Sequence, residues 1–152
     1  MEYKIEIAEV SEQLIAAARQ RTNFRNVSLE IRQLLEAPWA LIRTRRDLRS
    51  GGHNVAMYWD AKGGGSVEVG VQIVKPFEDT PTVVCSAIPG GRAATTAHYG
   101  EYSKLGPAHE AVMSWCKQHG EPLAGPFWEI YGDWSDDPTT LRTDVFYLLA
   151  QP

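Results

Sequence analysis

The second half of the chain repeats the order of the first. Leu29 and Trp39 return as Leu105 and Trp115, each 76 residues later (105 − 29 and 115 − 39). Ile15-Ala16-Ala17-Ala18-Arg19 answers to Arg92-Ala93-Ala94-Thr95-Thr96 at an offset of 77 (92 − 15). Gly52, Tyr58 and Asp60 return as Gly125, Tyr131 and Asp133 at an offset of 73 (125 − 52). Glu68-Val69 returns as Asp144-Val145, and the two copies end on Pro76 and Pro152. The common order and near-constant spacing predict a single domain built of two repeats, residues 1–76 and 77–152. A half of that size cannot bury its apolar face alone, so the two must share one core.

Each copy reads as strand, helix, strand, strand. In the first, 3–10 and 14–21 alternate or are apolar and form one long or broken strand. A helix over 28–49 carries the apolar stripe Ile31, Leu34, Leu35, Leu41 and Ile42, and Pro38 kinks it or ends it early. Strands over 55–60 and 67–74 flank the glycine-rich segment 61–66. In the second copy, 82–88 and 92–98 are broken at Pro89-Gly90-Gly91. A helix over 103–119 places Leu105, Ala108, Val112, Trp115 and His119 on one face, and Gly120 ends it. Strands over 127–134 and 142–149 close the copy. The expected class is α+β: an antiparallel sheet, two helices on one face, and a ligand groove between the repeats.

Composition narrows the function classes. No apolar run approaches the roughly 20 residues that span a bilayer, and no membrane association is expected. Cys85 and Cys116 are isolated, which fits a reduced, cytoplasmic protein. The net charge of −4 argues against direct nucleic-acid binding. Residues 1–52 hold nine Lys/Arg against seven Asp/Glu, whereas 53–152 hold six against twelve. Acid and aromatics in one half suit a hydrophobic cation, or simply make a solvated acidic surface.

Glu129 is the acid inside the aromatic strand Phe127-Trp128-Glu129-Ile130-Tyr131. Alternation puts Phe127, Glu129 and Tyr131 on one face, with Trp128 and Ile130 on the other. Trp128 and Ile130 are expected under the helices, which leaves Phe127, Glu129 and Tyr131 facing the groove. Tyr58 is the first-copy match of Tyr131, and Ala56 that of Glu129. A carboxylate among aromatics is partly desolvated and a cation would compensate it; the alternative is an edge glutamate that reaches water. Trp39 and Trp115 lie where helices meet the sheet, at the groove floor or in the core. Of the neighbours Phe146 and Tyr147, one faces the groove and the other the core.

The chain resembles the GyrI-like small-molecule-binding domains, which also serve as effector-binding domains of AraC-type and BmrR-type multidrug regulators. The resemblance runs through Ile88-Pro89-Gly90-Gly91-Arg92-Ala93, Ala97-His98-Tyr99-Gly100-Glu101-Tyr102, Trp115–Gly120 and Gly125-Pro126-Phe127-Trp128-Glu129-Ile130-Tyr131, with Arg142–Leu148 as closing strand. It implies a pocket for bulky hydrophobic, often cationic aromatic compounds, with Glu129 as central anion and Tyr131, Tyr58, Phe127, Trp39, Trp115 and Tyr147 as its lining. It implies no cofactor. It also implies two alternatives. One is a hydrolase that detoxifies cyclopropane-containing genotoxins, using Glu129 on water and Tyr131 or Tyr58 as donor. The other is a module that acts through a gyrase or DNA-binding partner.

Other candidates are weaker. His109 and His119 are ten residues apart and about 80° apart around a helix, so no metal site is expected. His98 reads as a structural hydrogen-bonding histidine and Cys116 as a core thiol. Gly63-Gly64-Gly65-Ser66 lacks the lysine of a phosphate loop. Arg43, Arg45, Arg46 and Arg49 suit a helix C-terminus.

Overall fold

The protein is described from a computed structural model, in which residues 2–22, 27–61 and 64–151 are defined. Each half contributes two strands, a helical segment and two more strands. The first half holds β1 (Glu6–Val10), β2 (Gln13–Thr22), α1 (Val27–Leu34), α2 (Glu36–Thr44), β3 (Asn54–Ala61) and β4 (Gly64–Gln72). The second holds β5 (Val84–Ile88), β6 (Gly91–Tyr99), α3 (Gly106–Gln118), β7 (Leu123–Tyr131) and β8 (Arg142–Leu149).

All eight strands form one antiparallel sheet in the order β1-β6-β8-β7-β3-β4-β2-β5. Exchanging β1 with β5, β2 with β6, β3 with β7 and β4 with β8 turns this order into its own reverse. The first strand of each half pairs with the long strand of the other half. The halves also meet at the centre, where β3 pairs with β7 and Ala56 stands opposite Glu129. These two positions are 73 residues apart, the local offset of the repeat, so equivalent positions face each other across the junction.

The helices lie on one face of the sheet, as expected, but not over Trp128 and Ile130. Trp128 packs instead with Ile15, Ala17, Val55, Met57, Ile88 and Ala93, which come from strands along the whole sheet. The sheet's right-handed twist curls it, so this face closes on itself and needs no helix. Trp128 is fully buried and stacks on Phe146, with centroids 5.4 Å apart, while Ile130 is only half-buried. The other face carries α1, α2 and α3. There α3 covers Ala94, Val145, Tyr147 and Leu149, α1 covers Ala56, Tyr58, Val67 and Val69, and α2 covers Ala16 and Ile73. Phe127 and Tyr131 pack against both the α1 and the α3 clusters.

The helix expected over 28–49 is interrupted at Leu35, three residues before Pro38. Proline has no N–H to bond back to Leu34, and its ring crowds that carbonyl, so the break falls one turn upstream. A short 3-10 turn, Arg46–Leu48, follows α2. Helix α3 stops as expected at Gly120, which adopts φ +66°. Its buried residues are Ala108, Val112 and Cys116, continued by Leu105 just before it; Trp115 is half-buried and His119 exposed. Among the described residues, no helix is long and apolar enough to cross a membrane.

Candidate functional site

Strand alternation places Phe127, Glu129 and Tyr131 on the helix-covered face, under the seam between α1 and α3. Glu129 is 6% exposed. Opposite it, Ala56 is too small to fill the position a second long side chain would occupy, and Val145 flanks it on β8. From above, α3 lowers His109 onto it. His109 lies four residues after Leu105 and three before Val112, within about 40° of the buried stripe.

The resulting network is continuous. His109 donates from Nε2 to Glu129 Oε2 at 2.6 Å, since a carboxylate only accepts. The other ring nitrogen, Nδ1, lies 2.7 Å from the Tyr147 hydroxyl. Tyr131 donates to Glu129 Oε1 at 2.5 Å and is also hydrogen-bonded to Tyr58. Burial, and then the charge of Glu129, push the Tyr131 and Tyr58 hydroxyls well above their ordinary pKa; the bond to Tyr131 only partly offsets this at Tyr58. Both phenols therefore stay protonated as donors. No lysine or arginine nitrogen of the described residues lies within 4 Å of Glu129, whose ion-pair partner is His109.

Aromatic rings floor the network. Tyr58, Phe127 and Tyr147 are direct neighbours across β3, β7 and β8. Phe127 stacks on both, with centroids 4.9 Å apart in each pair. His109 meets Phe127 and Tyr147 edge-on at 5.9 and 5.6 Å. Tyr102 meets Tyr131 edge-on at 5.5 Å.

The fold thus brings five of the residues singled out from sequence into one cluster: Glu129, Tyr131, Tyr58, Phe127 and Tyr147. Tyr147 faces this site and Phe146 the opposite core. Trp39 lies elsewhere, donating to Asn54 Oδ1 at 2.8 Å with the Arg49 guanidinium 4.9 Å above its ring. Trp115 packs on the α3 cluster and stacks on His119 at 4.1 Å. Neither tryptophan hydrogen-bonds to the Glu129 network. His98 is buried and doubly hydrogen-bonded, as expected. Burial raises the Cys116 thiol pKa, which suits a core residue. Among the described residues no three His, Cys, Asp or Glu are grouped to hold a metal.

His109 is the site residue that sequence reading missed. The spacing Leu105, His109, Val112, Cys116 carried the signal, but the stripe through Trp115 competes with it.

A family model for the GyrI-like small molecule binding domain matches residues 3–149. The chain belongs to this family. Among solved structures, the GyrI-like domain is similar to the EcmrR C-terminal domain, with a TM-score of 0.82 at 18% identity over 100% of both chains. It is similar to SAV2435 bound to tetraphenylphosphonium, with a TM-score of 0.70 at 13% identity over 99% of this chain and 94% of that one. It also resembles a hydrolase from Listeria innocua, with a TM-score of 0.62 at 10% identity over 97% and 92% of the two chains. At such identities the likeness is one of fold. No curated protein matches the sequence. The GyrI-like domain is thus a small-molecule-binding domain, and its fold is the one expected from the sequence.

Proposed function

We propose that this GyrI-like domain, two repeats meeting at residues 76 and 77, captures bulky hydrophobic cations in the cytoplasm. The observation that carries the reading is the buried carboxylate of Glu129 over a stack of rings, with only a histidine as its ion-pair partner among the described residues. A lipophilic cation is recognised by such a place: ring faces attract it, and the carboxylate compensates its charge where water does not. Tyr131, Tyr58, Phe127 and Tyr147 form the contact surface. SAV2435, of similar fold, has been solved with one such cation, tetraphenylphosphonium.

Calorimetry with tetraphenylphosphonium tests this. Glu129→Gln keeps the shape and removes the charge. It should weaken binding by about 1–3 kcal/mol, or roughly 5- to 150-fold. A neutral aromatic of similar size should lose far less. Equal affinity of wild type and variant for the cation would sink the reading.

One observation favours a second reading, hydrolysis of an electrophile. Glu129 lies between an imidazole and a phenol, a set able to hold water, move its proton and donate to a developing oxyanion. On that reading Glu129→Gln abolishes turnover of a cyclopropane-containing genotoxin and leaves its binding intact; product analysis by mass spectrometry separates the cases. An action through a gyrase or DNA-binding partner draws no support from the arginine cluster. There Arg45 is paired with Asp47 at 3.1 Å and Arg49 lies over Trp39.

A further inference from the structure

Thr143 is 0% exposed on β8, and its hydroxyl is without a hydrogen-bond partner among the described residues. Burying an unpaired hydroxyl is unfavourable. Pairing register places Thr143 directly between Tyr131 on β7 and His98 on β6, with all three side chains on the helix-covered face. Both neighbours are engaged elsewhere. Tyr131 bonds to Glu129 and Tyr58. His98 donates from Nε2 to the Glu101 carbonyl at 3.1 Å, and its Nδ1 accepts from the Tyr3 hydroxyl at 2.8 Å.

His98 is also a wall of a cleft of about 960 Å³, bordered by Tyr3, Glu101, Lys104, Pro107 and Pro138. Between Glu101 and Lys104 the chain sends Tyr102 the other way, onto Tyr131. One short segment therefore separates the cleft from the Glu129 network, and Thr143 lies beside that partition. Its ties are light. Tyr102 is 40% exposed, and the Lys104–Glu101 pair is solvent-facing at 3.5 Å. Glycines bound it, Gly100 at φ +138° and Gly106, and such residues absorb a backbone change readily.

We propose that Thr143 is a ligand-binding residue: with Tyr102 swung outward, its hydroxyl bonds a polar group of a ligand lying between the Tyr3–His98 cleft and Tyr131. The inference rests on the cation-binding reading and narrows its ligand class. The site prefers a bulky cation that also carries a hydroxyl or amide.

Two probes differing by one group test this: tetraphenylphosphonium and (4-hydroxymethylphenyl)triphenylphosphonium, titrated calorimetrically into the full chain. Wild type should bind the hydroxylated cation about 3- to 10-fold more tightly, the range for one net hydrogen bond. Thr143→Val should lose the preference, while Thr143→Ser keeps it. Thr143→Val should melt no lower than wild type, because no internal bond is lost. Absence of the preference in wild type, its survival in Thr143→Val, or a lowered melting temperature for that variant would overturn the inference. Tetraphenylphosphonium binding that depends on Glu129 but shows no hydroxyl preference overturns this inference alone. Failure of both probes to bind wild type overturns the cation-binding reading with it.

Discussion

Glu129 and His109 come from the central strand and the covering helix of the same half, and their side chains meet at 2.6 Å inside the protein. The contact ties α3 to the sheet and supplies Glu129 with a donor. His109→Ala leaves one carboxylate oxygen buried without it. The variant should lose about 1.5–3 kcal/mol of unfolding free energy, the range for a bond to a charged group. It should also bind tetraphenylphosphonium more tightly, because the carboxylate is less compensated in the free protein. Urea unfolding and calorimetry read the two effects, and weaker binding would mean that His109 is part of the contact surface rather than a competitor.

High pH should unfold the domain through its buried phenols. Tyr131 and Tyr58 hold their protons far above the ordinary value near 10. Above that value the unfolded chain releases these protons and the folded chain keeps them. Stability is therefore complete below about pH 10 and falls as pH rises, by roughly 1.4 kcal/mol per pH unit for each phenol. Of the six tyrosines, at least Tyr131 and Tyr58 should form tyrosinate only with unfolding, as read by its absorbance. A titration in which all six ionise before the far-ultraviolet circular dichroism changes would contradict it.

The two faces of β7 differ in what they contribute. Trp128 is enclosed by the curled sheet, so Trp128→Ala should cost about 3–5 kcal/mol. Ile130 is half-buried, and Ile130→Ala should cost about 1–2 kcal/mol, less than a fully enclosed isoleucine. Denaturant midpoints at unchanged slope give both values; a larger loss at Ile130 would reverse the assignment of the interior.

A second buried carboxylate, Glu68, sits on the opposite face from Glu129. It accepts from Arg19 Nε at 2.7 Å and from the Ser86 hydroxyl, and so joins β4, β2 and β5. Glu68 is 1% exposed while Arg19 is largely in solvent. Arg19→Met keeps the aliphatic stem and removes the charge. It should cost about 1.5–3 kcal/mol at neutral pH, because a buried carboxylate loses a charged partner. Thermal unfolding at pH 7 within error of wild type would show that Ser86 alone satisfies Glu68.

The order of the elements was written in the sequence, because strand and helix periods and the repeated landmarks are local. So was the grouping of Phe127, Glu129 and Tyr131 on one face, since alternate strand residues must share a side. Tyr58 was legible through its repeat partner Tyr131. What alternation leaves undefined is which side the helices cover: period two is the same on both faces, and only the curl of an eight-stranded sheet makes one side close on itself. The structure therefore turned an open groove opposite the helices into a network beneath them. His109 escaped notice because two overlapping stripes run along α3, and the rotation that selects one is set by docking against Ala94, Val145 and Tyr147. The want of a partner at Thr143 among the described residues is likewise invisible in the sequence. It depends on His98 and Tyr131 each being bonded elsewhere, and those bonds exist only once β6, β7 and β8 lie side by side.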